Sequence, residues 1–177
     1  GIKWSYTALL DKTTGPLNAD QKEIAEKGLS AIDQSINLIN DLLNVAHLEE
    51  GKLDFAFKRQ SLIPVIKKAV AGIKLMVEEK KITMTQKIPP EAGFPELNID
   101  ADKMALAVAN LLDNAVKYTP VGGRIDFSVS QDQGLVKISV QDSGIGIPKT
   151  QKGRLFTKFF RADNATKVQT SGTGLGL

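Results

Sequence analysis

Residues 101–120 read ADKMALAVANLLDNAVKYTP, and this stretch decides how the rest of the chain is interpreted. Its apolar side chains recur at helical spacing, which predicts an amphipathic helix with one face against a core. Asp100 or Asp102 begins the helix, and Thr119-Pro120 ends it near Tyr118. The predicted core-facing stripe consists of Val108, Leu111, Leu112 and Ala115.

The polar face of this helix carries two asparagines and a lysine. Asn110 and Asn114 are four residues apart, and Lys117 is three beyond Asn114, so all three share one face. Asparagine is a poor helix former, so two of them in mid-helix lower stability unless they are used. A solvated face with an Asp113–Lys117 ion pair is one interpretation. A site for a hydrated divalent ion and phosphate oxygens is the other.

Two runs of alternating apolar residues follow, at 125–129 and 136–140, and predict strands joined by a polar turn. The parity of the second run carries its apolar face to Asp142, so we expect this carboxylate to point inward at the strand's end. A buried carboxylate needs a hydrogen-bond donor, which the exocyclic amine of a base could supply. The glycines of residues 143–148 (SGIGIP) would let a ligand approach the backbone. A plain turn with a capping aspartate fits the same residues.

Residues 172–177 read GTGLGL. Glycines alternating with small or apolar residues can open a helix whose free amides hold phosphate. The spacing differs from the dinucleotide-binding fingerprint, because the third glycine comes one residue too early. It also differs from a P-loop, because no Gly-Lys-Ser/Thr follows. Taken alone, this string is weak evidence for a phosphate site.

The first fifty residues predict a helical hairpin. A stop at residues 13–16 separates two helices, and Asn18 with Gln21 forms a capping box at the start of the second. That helix carries two apolar stripes, and the first has the spacing of coiled-coil or bundle packing. The second stripe would be buried either in a four-helix bundle of two chains or against the following domain. The stripes are Leu29, Ile32, Ile36, Ile39, Leu43 and Ala46, and Leu38, Leu42 and Val45.

From Gly51, which we expect to end the long helix, the pattern changes to mixed helix and strand. The chain is therefore predicted to be an α+β protein with a hairpin over 1–50 and a second domain over 51–177. The elements predicted before residue 100 are a strand at Leu53, Phe55 and Phe57, a helix from Ser61 to Met76, a strand at Ile82 and Met84, and a proline-rich loop at 88–95.

Composition excludes several classes of function. The 177 residues include no cysteine and one histidine, which excludes disulfides, thiolate chemistry and multi-histidine metal sites. A net charge of +3 is too weak to indicate a nucleic-acid partner. No run of about 18 apolar residues predicts a membrane span, and no signal peptide opens the chain. We expect an intracellular piece of a longer protein, since it begins with Gly1 rather than Met.

Four segments follow one another along the chain: Asn110-Leu-Leu-Asp-Asn114-Ala-Val-Lys117-Tyr118-Thr-Pro, Asp142-Ser-Gly144-Ile-Gly146-Ile, Leu155-Phe-Thr-Lys-Phe159-Phe160-Arg161 and Gly172-Thr-Gly174-Leu-Gly176-Leu. Their order and spacing resemble the N, G1, F and G2 boxes of the sensor histidine kinases of two-component systems. The hairpin and its exit at residues 48–53 resemble the dimerisation domain of that family. The resemblance implies a two-layer α/β sandwich of the histidine kinase/Hsp90-like ATPase type after the hairpin.

The resemblance also implies a site for ATP and Mg²⁺ on the helix and strand ends. Asn114 would hold the metal ion, with Asn110 and Lys117 close to the phosphates. Tyr118 would lie against the adenine, and Asp142 would accept a hydrogen bond from its exocyclic amine.

The remaining boxes are implied to enclose the nucleotide. Gly144, Gly146 and Ile147 would border the base, and residues 149–171 would form a mobile lid anchored by Phe156 and Phe159. Arg161 would stabilise the transferred phosphoryl charge, so Asn110 and Arg161 are the implied catalytic residues. The pocket would be closed, at a helix N-terminus, by Gly172, Thr173, Gly174, Leu175 and Gly176.

The family's phosphoacceptor motif is missing from this sequence, and the last box stops at Leu177, so the resemblance implies a piece trimmed at both ends. The single histidine, His47, falls near the end of the second helix, and we interpret it as a surface or hinge residue. The implied function is the ATP-binding core of a cytoplasmic, homodimeric kinase that phosphorylates a histidine outside this chain and then a response-regulator receiver domain. A degenerate module that binds only nucleotide or a partner is the alternative. A hydrolase or chaperone of the wider ATPase superfamily is a third interpretation, which the hairpin disfavours.

Overall fold

A computed structural model describes residues 1–11, 13–49, 54–169 and 172–175, without the side chains of Asn37, Asp41, Asn44 and residues 47–49. The chain divides into two compact units, Gly1–Leu53 and Asp54–Leu177. The side chain of His47 and the residues Gly51, Leu53 and Gly176 lie outside the described part. Within the described part, no helix is long and apolar enough to cross a membrane.

The first unit is a helical hairpin of α1 (Ile2–Leu10) and α2 (Ala19–Glu49). The predicted capping box is confirmed, because the amide of Asn18 donates to Gln21 Oε1 at 3.0 Å and the amide of Gln21 donates to Asn18 Oδ1 at 2.8 Å. The helices approach closely at Gly28, where a Cβ would lie 2.3 Å from the ring of Tyr6. The missing side chain therefore lets the tyrosine ring pack directly on α2.

The apolar stripes of α2 extend well past the part that α1 can cover. The helix α1 has 9 residues and α2 has 31, so only the first part of α2 has a neighbour within this unit. The side chain of Ile36 is 40% exposed and that of Ile39 is 57% exposed. Leu38, Leu42 and Leu43 are exposed as well. The hairpin taken by itself thus leaves an apolar face open to solvent.

The second unit combines helices with two small sheets. One sheet has the order β2-β4-β5, with β2 parallel to β4 and β4 antiparallel to β5. The other pairs β1 with β3 in antiparallel fashion. The elements are β1 (Lys58–Ser61), α3 (Ile63–Gly72), α4 (Lys74–Glu79), β2 (Thr83–Lys87), β3 (Glu96–Ile99), α5 (Ala101–Tyr118), β4 (Arg124–Asp132), β5 (Leu135–Asp142), a 3-10 helix (Lys149–Arg154) and α6 (Asp163–Val168).

The core of this unit lies between a helical layer and one face of the larger sheet. The helices α3 and α5 pack on each other, and α5 also contacts β5. The alternating residues of β4 point into this layer, as the sequence predicts. The α+β arrangement of two layers is confirmed. Its fully buried side chains include Ile66, Val108, Leu112, Ile125 and Phe127.

The strand predicted at 53–57 is wrong in position. Residues 54–57 form no strand, and pairing with β3 starts only at Lys58, which lies opposite Ile99. Phe55 and Phe57 are exposed, and their rings stack on each other with centroids 5.3 Å apart. Side chains two residues apart in an extended segment share one side, so they can pair with each other without a sheet.

The helix predicted from Ser61 to Met76 is two helices, α3 and α4, separated at Ile73. The N-cap of α3 is Leu62, and the hydroxyl of Ser61 accepts a hydrogen bond from the amide of Ile63 at 3.3 Å. Glycine is a weak helix former, which is consistent with α3 ending at Gly72.

The predicted stripe of α5 is right except at one position. Val108, Leu112 and Ala115 are buried, whereas Leu111 is exposed. Leu111 lies one residue, about 100°, from Leu112 around the helix, which turns it away from the core.

Candidate functional site

The helix α5 is held at its start by a capping carboxylate. Asp100 Oδ1 accepts hydrogen bonds from the amides of Asp102 and Lys103, each at 3.0 Å. Oδ2 accepts from the amide of Ala56 at 2.9 Å. The hydrogen bonds from the backbone of Lys103 and Ala56 lower the pKa of Asp100, because they stabilise its charged form. Asp100 therefore fixes the first turn of the helix and joins it to the segment before β1.

The polar face of α5 carries the three residues that the sequence singles out. Asn110, Asn114 and Lys117 are half-buried and follow one another at helical spacing. The ammonium of Lys117 lies 5.6 Å from the centroid of the Tyr118 ring, within range of a cation–π contact. This face therefore presents two amides and a cation beside an aromatic ring.

Asp142 ends β5 beside the last turn of α5. It lies opposite the fully buried Ile125 of β4, so the side chain is on the core-facing side of the sheet, as parity predicts. The expected burial is wrong, because Asp142 is exposed. The helical layer ends at Tyr118, and the carboxylate faces solvent there. Asp142 Oδ1 accepts a hydrogen bond from the amide of Gly144 at 2.9 Å.

Gly144 occupies the point where the end of α5 meets the end of β5. A Cβ there would lie 2.5 Å from the carbonyl oxygen of Tyr118 and 2.6 Å from Asp142 Oδ1. The amide of Ile145 donates to the same Tyr118 oxygen at 3.3 Å. Gly144 is thus needed because a side chain there would clash with the protein's own backbone. The family resemblance had implied a different reason, namely room for a base. Gly146 has a φ of +63°, a conformation that favours glycine, and open space around it.

The third and fourth boxes converge on the α5 face. A Cβ on Gly172 would lie 3.2 Å from Lys117 Nζ and 3.4 Å from Arg161 Cζ, so both cations lie near the side of the glycine on which a side chain would project. Arg161 also donates a hydrogen bond to the carbonyl of Gln169. The structure therefore brings together side chains and backbone that lie 55 residues apart in the sequence.

Gly174 and Phe159 pack backbone to backbone. A Cβ on Gly174 would lie 2.7 Å from the carbonyl carbon of Phe159, and Gly174 has a φ of +69°. Phe159 has a φ of +61°, which is unusual for a bulky residue. The hydroxyl of Thr173 accepts a hydrogen bond from the amide of Leu175 at 3.2 Å. The described residues 172–175 form no helix, and Gly176 lies outside the described part.

The lid is attached by residues other than the two predicted phenylalanines. Phe156 is 82% exposed and Phe159 is 59% exposed, so neither anchors the segment. Ala162 and Ala165 are buried instead. Phe160 is half-buried, with the guanidinium of Arg154 4.5 Å from its ring centroid. Small side chains beside α6 thus make the close contacts that the aromatic pattern suggested.

Sequence reasoning missed the polar contacts that connect the lid to the glycine loop. Asn164 Nδ2 donates to the carbonyl oxygens of Ile145 at 3.2 Å and Gly146 at 2.8 Å. Gln151 Nε2 donates to Asp163 Oδ2 at 2.6 Å, and the amide of Asp163 donates to Gln151 Oε1 at 3.1 Å. No local sequence signal predicts these pairs, since their members lie 12 to 19 residues apart.

The charges and ligand types around this region suit a phosphorylated ligand. Between Lys149 and Lys167 there are six lysines and arginines and one aspartate. Among the described residues, no group of three histidine, aspartate or glutamate side chains could hold a metal ion. The amide of Asn114 fits Mg²⁺ bound chiefly by water and phosphate oxygens, since this ion often takes only one or two protein ligands.

This chain is similar to known proteins in both sequence and fold. Residues 99–177 match the family described as histidine kinase-, DNA gyrase B- and HSP90-like ATPase. The sensor histidine kinase WalK of Bacillus subtilis is 33% identical over 168 residues, which cover 89% of this chain and 26% of WalK. The chain therefore spans about a quarter of the length of this curated relative.

Two solved structures show the same fold. Full-length ShkA in complex with AMPPNP superposes with a TM-score of 0.72 at 24% identity, covering 97% of this chain and 35% of ShkA. Histidine kinase ThkA in complex with the response regulator TrrA gives 0.65 at 16% identity, covering 94% of this chain and 51% of that one.

The fold and the family match define an ATPase domain of the histidine kinase, DNA gyrase B and HSP90-like class. Within that class, the chain carries the catalytic domain of a sensor histidine kinase of the two-component type.

Proposed function

We propose that this chain binds ATP with Mg²⁺ and is the catalytic core of a kinase that phosphorylates a histidine other than His47. The observation that carries the proposal is the meeting of Lys117 and Arg161 at Gly172, on the half-buried polar face of α5. Two cations beside a glycine backbone suit the polyphosphate of a nucleotide. The AMPPNP complex of ShkA supports the choice of ATP as the nucleotide.

The adenine end of the proposed site lies at Asp142. Its Oδ1 is occupied by the amide of Gly144, which orients the carboxylate. Oδ2 is then placed to accept a hydrogen bond from the exocyclic amine of adenine. Tyr118, Gly146 and Ile147 border this end and supply apolar surface for the ring. A guanine carries a carbonyl at the corresponding ring position and would face the carboxylate unfavourably, so Asp142 selects adenine.

The phosphate end of the proposed site lies along α5 and the lid. The side-chain oxygen of Asn114 would hold the Mg²⁺, and Asn110 would orient the phosphates by hydrogen bonding. When bound, the metal ion neutralises phosphate charge as phosphoryl transfer requires. Lys117 and Arg161 stabilise the same negative charge from the protein side. Thr173, Gly174, Leu175 and Gly176 would close the pocket over the phosphates.

The partners that we propose follow from the hairpin and from the relatives. The exposed apolar face of α2 supports a homodimer in which two hairpins form a four-helix bundle. The complex of ThkA with TrrA supports a response-regulator receiver domain as the acceptor of the phosphoryl group. We place the protein in the cytoplasm, where ATP and such regulators are found. We also propose residues 1–50 and 51–177 as the dimerisation and catalytic domains.

The alternative is a module of the same fold that binds nucleotide without catalysis. The single histidine of these 177 residues lies late in α2 and is not part of the family's acceptor motif. The two functions share the nucleotide site and differ only in phosphoryl transfer. Supplying an acceptor in trans distinguishes them.

Calorimetric titration of Mg²⁺-ATP into the chain and into Asp142→Asn tests the site directly. We expect affinity to fall about tenfold or more in the variant, because an amide replaces the charged acceptor. Asp132→Asn is the matched control, since it removes an exposed carboxylate at the far end of the same hairpin. Equal affinity for all three proteins would contradict the assignment of Asp142. Labelled phosphate transferred from ATP to a separately supplied histidine-bearing hairpin would support the kinase over the alternative.

A further inference from the structure

Lys80 reaches from the turn after α4 to the C-terminal end of α5. Its ammonium donates hydrogen bonds to three backbone carbonyl oxygens, those of Val116 at 2.8 Å, Lys117 at 2.9 Å and Thr119 at 3.1 Å. The side chain is half-buried. An ammonium has three protons, so these contacts match its full donor capacity.

The end of α5 needs such a partner because it lacks the usual cap. The last carbonyls of a helix have no partner within the helix and carry partial negative charge. Thr119, the C-cap residue, is extended with a φ of −81° and a ψ of 129°, and only its amide continues the helical pattern by donating to Ala115. No glycine takes the left-handed position that commonly closes a helix. A cation from 36 residues away satisfies the carbonyls instead.

The backbone of Lys80 holds the segment that follows α5 as well. The carbonyl of Lys80 accepts a hydrogen bond from the amide of Gly122 at 2.9 Å. The amide of Thr83 donates to the carbonyl of Gly123 at 2.8 Å. The backbone of the turn around Lys80 thus holds the chain after Pro120, and the ammonium holds the helix end before it.

Tyr118, which lies between the carbonyls bound by Lys80, contacts the loop that orients Asp142. Tyr118 lies between the held carbonyls of Lys117 and Thr119, and its own carbonyl accepts from the amide of Ile145. Gly144 packs against that same carbonyl and donates its amide to Asp142. A shift of the helix end would therefore move the loop and the carboxylate together.

We propose that Lys80 is a positioning residue for the adenine end of the site, acting through the backbone of Tyr118. The inference rests on the proposed function only for the identity of the ligand that the Asp142 carboxylate binds. If Lys80 merely stabilised the fold, replacing it would lower the resistance to unfolding everywhere. If it is a positioning residue, replacing it also loosens the 144–145 loop in the folded protein and weakens nucleotide binding at temperatures where the protein stays folded.

The test compares Lys80→Met with Lys81→Met. Methionine keeps most of the apolar stem and removes the charge and all three donors. Lys81 is exposed and adjacent in sequence, so its replacement makes the same change in net charge. Amide hydrogen exchange of the ligand-free proteins is measured at Gly144 and Ile145 and, for comparison, at Phe127 in the core. Affinity for Mg²⁺-ATP is measured well below the melting temperature of each protein.

We expect Lys80→Met to speed exchange at Gly144 and Ile145 about tenfold more than at Phe127, and to weaken nucleotide binding about fivefold to tenfold. Lys81→Met should change neither quantity. Equal acceleration at all three amides, or unchanged affinity despite a loosened loop, would overturn the proposal. If the parent protein binds no nucleotide, the proposed function fails, and the exchange data alone decide whether Lys80 holds the loop. If Lys80→Met does not fold, Lys80→Gln, which removes the charge and shortens the side chain, replaces it in these measurements with the same expected results.

Discussion

The side chain of Asn164 donates a hydrogen bond to the carbonyl oxygen of Gly146 at 2.8 Å, which joins α6 to the glycine loop after β5. The same amide nitrogen reaches the carbonyl of Ile145 at 3.2 Å. Asn164 is half-buried and follows directly on Asp163, which is bound to Gln151 of the 3-10 helix. Three separate pieces of the lid and the loop are therefore connected through two neighbouring side chains.

Asn164→Asp should disconnect the lid from the loop. A carboxylate cannot donate to the two carbonyls and repels their oxygens, so we expect nucleotide affinity to fall roughly fivefold to tenfold. Lys167→Gln makes the same change in net charge on the same helix and serves as the control. Calorimetry on both variants checks the prediction. A loss of affinity that is equal in the two proteins would point to lid charge and would refute the connection.

Gly174→Ala should damage the contact between the last box and the lid. The new methyl group would lie 2.7 Å from the carbonyl carbon of Phe159, and alanine at a φ of +69° adds about 1 kcal/mol of backbone strain. We expect weaker nucleotide binding with little change in the thermal unfolding of the core. Gly153→Ala is the control, because a Cβ there meets nothing within 4 Å. Unchanged binding in Gly174→Ala would show that the contact is unimportant for the site.

Asp100 makes the stability of the second unit depend on pH, and the direction of this dependence follows from its lowered pKa. Its pKa is lowered below the ordinary value of 3.8 by backbone hydrogen bonds. Its contribution to stability is therefore complete above that value and is lost as pH falls through the lowered pKa. Urea unfolding midpoints measured between about pH 2 and 6 should decline at the acid end in the parent protein more than in Asp100→Asn. Asp102→Asn, in the same first turn, should follow the parent protein, and an identical decline in all three would be inconsistent with this role.

The elements that the sequence predicts best are those whose signals are local. The start and end of α5, the hairpin of β4 and β5 and the capping box at Asn18 all depend on residues within a few positions of one another. Parity along β5 even placed Asp142 on the correct side of the sheet. It could not report exposure, because exposure depends on where α5 stops.

The errors and omissions concern contacts between distant parts of the chain. The strand expected around Phe55 failed because pairing depends on β3, about forty residues further on. The contacts of Lys80 could not be predicted either, because its partners begin 36 residues away. Asn164 binds backbone carbonyls, which any residue type could provide. Backbone acceptors carry no sequence signature, so a side chain that binds them cannot be recognised by pattern alone.

The apolar face of α2 predicts a homodimer that one substitution should weaken. Ile39 is 57% exposed in the single chain, and burying a side chain of this kind contributes about 1.5 to 3 kcal/mol. A two-fold interface contains the residue twice, so Ile39→Glu should raise the dimer dissociation constant at least about a hundredfold. Ile24→Glu provides the control, because Ile24 is 67% exposed on the same helix but belongs to neither stripe. Sedimentation equilibrium should find Ile24→Glu dimeric and Ile39→Glu monomeric at micromolar concentration. A parent protein that is monomeric under these conditions, or an Ile39→Glu variant that dimerises as well as the control, would remove the hairpin face as the dimer interface.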